Sequence, residues 1–163
     1  VTGGQAGQSL NLSFIVLDSS CLPVNGARVD IWYANADGIY SGVENQGDDF
    51  GAGKDSGNFL RGTQFTDSDG LVTFKGIYPG WYPSRTIHIH EKIWIGENEA
   101  LTTQTYFSDD QNASVMSKAP YSSRGNQRVT NSQDMLIQRG LDLEAALMQF
   151  DGTKASFTFV LGS

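Results

Sequence analysis

The chain has 163 residues, 39% of them hydrophobic and 18% charged, with 19 glycines, a composition that excludes a disordered or membrane-embedded protein and fits one folded domain over residues 1–163. Eleven Lys and Arg against 18 Asp and Glu leave a net charge of −7 with the basic residues scattered, so no positive stripe is on offer and no nucleic-acid partner is expected. No apolar run approaches the ~20 residues of a spanning helix, so no membrane partner is expected either, and the opening VTGGQAGQSL lacks the charged and apolar regions of a signal peptide; any targeting segment is expected to have been removed or never present.

Leu10, Leu12, Phe14 and Val16 alternate with mostly polar neighbours, the period of a half-buried strand. LPVNGA then turns the chain into a second strand, ARVDIWY. The following GIYSGVENQGDDFGAGKDSGNFLRG has seven glycines and no clear period, and reads as a long loop of the length that serves a site. Asp48, Asp49 and Phe50 in it are candidates for capping an entrance.

TDSDG reads as a turn between GTQF and the strand LVTF, and IYPGWYP as a rigid turn. RTIHIHEKIWI, LTTQTYF and ASFTFVLG supply three more strand patterns. SDDQNASVMSKAPYSSRGNQRVTNS between the last two reads as a polar loop, and Ser132 as an N-cap before one or two short helices broken near Gly140. The expected fold is all-β: a two-sheet β-sandwich with long loops and one or two short helices near the C-terminus.

Chemistry concentrates in GWYPSRTIHIH, which holds the only two histidines of the chain. Residues two apart on a strand face the same way, about 6.6–6.8 Å apart, so His88 and His90 can converge on one ion. On its own such a pair is common on strand surfaces. Tyr82 in the adjoining turn and Tyr40 at the mouth of the glycine-rich loop could add phenolate oxygens. A phenol ionises near neutrality only beside a strong Lewis acid, and two such oxygens with two imidazoles suit trivalent iron better than zinc. Glu91 would point to the opposite face of the strand from His90.

The run RGTQFTDSDGLVTFKGIYPGWYPSRTIHIH resembles the intradiol ring-cleavage dioxygenases, the family of catechol 1,2-dioxygenase and protocatechuate 3,4-dioxygenase. The likeness extends from LDSSCLPVNGARVDIWYANADGIYSG to TTQTYF, most of residues 10–107, and is greatest to the short extracellular members. It implies a mononuclear non-haem Fe(III) held by Tyr40, Tyr82, His88 and His90, where the tyrosines of D-x-x-G-x-Y and PGxYP and the paired histidines of the family fall. It also implies Arg85 and Gln104 as catalytic residues, with Tyr82 leaving the metal as substrate binds. The implied reaction opens a catechol with O2 to a cis,cis-muconate-type dicarboxylate. The implied setting is secreted, as a monomer or weak homodimer.

Two departures stand out. The family's paired cysteine is Ala34 here, so Cys21 is expected to be free, and Glu91 replaces a more usual apolar residue. The tail after residue 107 matches only loosely. Two other readings fit the same residues: a non-catalytic β-sandwich binding module, and a zinc-dependent hydrolytic site.

Overall fold

Strict inward alternation of Leu10, Leu12, Phe14 and Val16 makes Ser9–Leu17 (β1) the central apolar strand of the molecule. The computed structural model describes residues 1–42, 57–125 and 129–162. The proposed capping residues Asp48, Asp49 and Phe50 lie outside the described residues.

Arg28–Trp32 (β2), Arg61–Phe65 (β3), Leu71–Ile77 (β4), His88–Ile95 (β5), Asn98–Tyr106 (β6), Gln149–Phe150 (β7) and Lys154–Val160 (β8) complete the strands. They form two four-stranded sheets, ordered β4-β1-β8-β7 and β3-β2-β5-β6. All pairings are antiparallel except β1 with β8. The result is the two-sheet β-sandwich that the alternating pattern predicts.

The two sheets bury a common core. Phe14 is fully buried and packs against Phe74 at 6.3 Å and Phe159 at 5.5 Å between ring centroids. From the second sheet, Val29, Ile31, Ile89 and Ile93 belong to the same core. Because side chains alternate across a strand, His88, His90 and Trp32 are carried on the outer face of that sheet.

The segment 108–132 departs from the loop expected of it. Asp109–Met116 is a helix (α1) whose N-cap Ser108 accepts from the Gln111 amide at 3.2 Å, while Gln111 Oε1 accepts from the Ser108 amide at 3.0 Å. That reciprocal cap hides inside a polar run, and Asn112, Val115 and Met116 bury one side of the helix. Ser132 is not a cap. Thr130 opens a 3-10 turn over Asn131–Gln133, and Asp134 caps the four-residue helix Met135–Gln138 (α2) by accepting from the Leu136 amide at 3.0 Å. Ser132 lies inside the preceding 3-10 turn, and Asp134 also has a long-range cationic partner, which no local pattern reveals.

Candidate metal centre

Two tight approaches assemble the site. The Asn35 side chain accepts from the Asp37 and Ile39 amides at 3.0 and 2.9 Å, folding 35–39 into the turn that presents Tyr40. Gly38, at φ +77°, lies so close to the turn at Trp81 that a Cβ would meet the Trp81 carbonyl oxygen at 2.3 Å. Gly80 sits equally close to the other segment: its amide donates to the Asn35 carbonyl at 3.0 Å, and a Cβ would meet that oxygen at 2.3 Å. These glycines let the two tyrosine-bearing turns lie against each other. Arg124 closes the joint, stacking on the Trp81 ring at 4.1 Å and donating to the Trp81 carbonyl.

Four polar atoms meet where the turns reach β5. The Tyr40 hydroxyl lies 3.3 Å from His88 Nε2 and 3.1 Å from His90 Nε2. The Tyr82 hydroxyl is 3.2 Å from His88 Nε2, and the two histidine Nε2 atoms are 3.1 Å apart. All four residues are buried.

Burial first, and then the nearby Arg85 cation, pushes the His88 imidazole down to about 3. Burial, then His88, Arg85 and Arg61, holds His90 well below its ordinary value. Burial also raises the Tyr40 phenol, with Tyr82 adding to the effect. Both imidazoles are therefore neutral at physiological pH, with lone pairs to offer. His88 Nδ1 lies 2.6 Å from the Thr86 carbonyl; donating there leaves Nε2 as the free acceptor facing the cluster.

This donor set fits a ferric ion. Ligands bonded to one first-row ion at about 2.0–2.2 Å lie roughly 3–3.5 Å from one another, the spacing found here. Two phenol oxygens with two imidazoles combine hard and borderline donors, as Fe(III) prefers. Among the described residues no three His, Cys, Asp or Glu side chains gather to hold a metal.

The remaining expected residues also come together. Arg85 Nη2 donates to Gln104 Oε1 at 2.6 Å, and Gln104 Nε2 lies 3.0 Å from His90 Nδ1. The Tyr106 hydroxyl donates to the same Gln104 oxygen at 3.1 Å. Glu91 stands apart from the cluster: it is fully buried on the inner face of β5, where its Oε1 accepts from the Thr105 hydroxyl at 2.5 Å. Burial raises its carboxyl well above the ordinary value, outweighing the Thr105 hydrogen bonds that lower it. Cys21 is exposed and free.

Two more neighbours frame the cluster, and one of them, Asp134, carried no sequence signal. Trp32, paired with His90 across the strands, lies flat on the His90 ring. Asp134, fully buried, accepts from Arg85 Nε at 2.8 Å and from the Thr86 amide at 3.0 Å. Beside Trp32 the outer sheet face opens into a hollow of about 540 Å3 whose walls include Arg28, Asp30, Arg61 and Lys92.

The family model described as Dioxygenase matches residues 1–162. The chain belongs to the intradiol dioxygenase family. An intradiol ring-cleavage dioxygenase from Tetranychus urticae superposes with a TM-score of 0.90 at 29% identity, over 99% of this chain and 84% of that one. Among curated relatives, the protocatechuate 3,4-dioxygenase beta chain of Burkholderia cepacia is 36% identical over 66% of this chain and 48% of its own length. The chlorocatechol 1,2-dioxygenase of Rhodococcus opacus is 24% identical over 96% of this chain and 61% of its own. This intradiol dioxygenase chain thus spans less than two thirds of the curated relatives it matches.

Proposed function

We propose that the chain is a non-haem Fe(III) intradiol dioxygenase that opens catechol-type rings with O2 to cis,cis-muconate-type dicarboxylates, both oxygen atoms entering the product. The observation that carries this reading is the convergence of Tyr40, Tyr82, His88 and His90 at 3.1–3.3 Å in a buried cluster. A ferric ion held by these four supplies the Lewis acidity that makes a catechol lose both protons and opens its ring to O2.

The chain's own groups do the rest. Tyr82 Oη, on a turn rather than on the sheet and a phenolate when an ion is bound, would take up one proton of the incoming catechol, the other passing to solvent. His88, neutral and locked on β5, holds its Nε2 lone pair in place, and His90 stands beside it on the same face. The Arg85 guanidinium, half-buried beside the cluster, stabilises the negative charge that develops on the ring. Gln104 hydrogen-bonds to Arg85 and sits against His90, tying cation and imidazole into one frame. Burial of the cluster limits competing water.

The test is a visible absorption spectrum of the iron-loaded protein with and without 4-methylcatechol, alongside its iron content. A broad tyrosinate-to-iron band that shifts with catechol, followed by oxygen uptake and a dicarboxylate product, is the expected result. A protein that stays colourless and iron-free after loading sinks the reading and leaves a non-catalytic sandwich.

A further inference from the structure

We propose that Asp134 is the positioning residue for Arg85, an inference that rests on the dioxygenase reading above. Arg85 follows Ser84, whose φ of +69° is unusual for a residue with a side chain and launches Arg85 out of the turn at a fixed angle. Its guanidinium is then held from two sides. Asp134 accepts from Nε at 2.8 Å and from Nη2 at 3.4 Å, and Gln104 Oε1 accepts from Nη2 at 2.6 Å.

Asp134 is itself a rigid anchor. Its side chain is wholly buried and is fastened by the Thr86 amide at 3.0 Å and by the first turn of α2 through the Leu136 amide at 3.0 Å. Asn131, also buried, clips the same segment to Thr86, whose hydroxyl donates to it at 2.6 Å. The tail of the chain therefore reaches back to Arg85 and Thr86, shortly ahead of the histidine strand.

A buried ion pair adds little net stability, because desolvation offsets most of the attraction. What a carboxylate offers here is direction: two acceptor oxygens on the planar fork of an arginine fix its orientation as well as its place. Gln104 alone grips one nitrogen and leaves the fork free to pivot. With Asp134 in position, Arg85 presents its cation to the substrate ring without reorganising during the reaction. Asp134 touches no reacting atom; it acts through Arg85.

The experiment compares the full chain, iron-loaded, as wild type, Asp134→Asn and Asp134→Ser, the last keeping a cap for α2, each alone and on an Arg85→Gln background. Iron content, the anaerobic shift of the visible band with 4-methylcatechol, thermal midpoint, and kcat and KM by oxygen uptake are recorded. Expected are an iron content and a catechol-induced shift within about twofold of wild type, KM within about twofold, and kcat lower by about 10- to 100-fold. On the Arg85→Gln background the same Asp134 changes should lower kcat by less than about twofold, since the group they orient is gone. An unchanged kcat, a kcat that falls only in step with iron content or folding, or an equal loss on both backgrounds overturns the inference. A wild type that binds iron and cleaves catechol in those cases leaves the dioxygenase reading standing. A wild type that takes up no oxygen removes both.

Discussion

Trp32 and His90 face each other across β2 and β5 with ring centroids 4.9 Å apart and only 6° between their planes. The stack fixes the plane of an imidazole whose Nε2 lies in the four-donor cluster, and Arg61 covers the indole at 6.0 Å. A planar partner on a ligand ring restricts its rotation just as a hydrogen bond on the far nitrogen does. Trp32→Leu should weaken iron binding by about 10-fold with little loss of fold, because Trp32 is only half-buried. Retention of the visible band during dialysis against a chelator measures this; a variant that keeps its iron as long as wild type refutes the role.

Tyr40 separates ligand chemistry from packing. It is 1% exposed, and Tyr40→Phe removes one oxygen while keeping the ring in its slot. The variant should stay folded within about 1–2 kcal/mol of wild type, yet lose most of its iron and change the visible band. Metal analysis after loading, paired with a urea titration, separates the two effects. A variant with full iron and an unaltered spectrum would show that Tyr40 is only an aromatic prop.

Phe14 reports on the core alone. It is fully buried between Phe74 and Phe159, and the sheet that carries it holds none of the four donor residues. Phe14→Ala should destabilise the chain by about 3–5 kcal/mol through lost burial and the cavity left behind. Any variant protein that remains folded should keep its spectrum at low temperature. A loss below 1 kcal/mol in chemical denaturation would mean that the two sheets close over the gap.

Asp151 sets an acid-side dependence. Its carboxylate accepts from the Lys154 and Thr153 amides at 2.8 and 3.0 Å in the turn between β7 and β8, and these bonds hold its pKa below the ordinary value, Lys154 first. Because the folded pKa is lowered, the stabilisation is present above the unfolded value of about 3.9 and is lost as pH falls through the folded one. Wild type should therefore have a higher thermal midpoint than Asp151→Ala at pH 7, with the gap narrowing below about pH 4. A constant gap across the range contradicts the assignment.

Much of the architecture was legible because it is local. The alternation in Ser9–Leu17 names both the strand and its buried face, and the spacing of His88 and His90 places two ligand atoms on one side of a strand whatever surrounds them. Neither inference needs a distant residue. The helix α1 has no legible sequence signal because its cap, Ser108 with Gln111, lies in a polar run with only Asn112, Val115 and Met116 buried, too few to mark a periodic face. Serine and aspartate are equally good N-caps by residue type. Only the fold shows Asp134 holding both the Leu136 amide and Arg85, 49 residues away.

By itself the sequence determined every described strand except β7, which falls in the run read as helical, together with the inward face of β1, the paired histidines and, through its motifs, the family to which those residues belong. The tertiary structure alone brought Tyr40 and Tyr82 to His88 and His90, by letting Gly38 and Gly80 pass close to the facing turns. It also laid Trp32 over His90 and carried Asp134 back from the weakly matching tail to Arg85. The reason is range: side-chain alternation and caps are set by neighbours a few residues away, whereas a cluster of ligand atoms exists only once sheet register and turn contacts have placed residues up to 50 positions apart within hydrogen-bond distance.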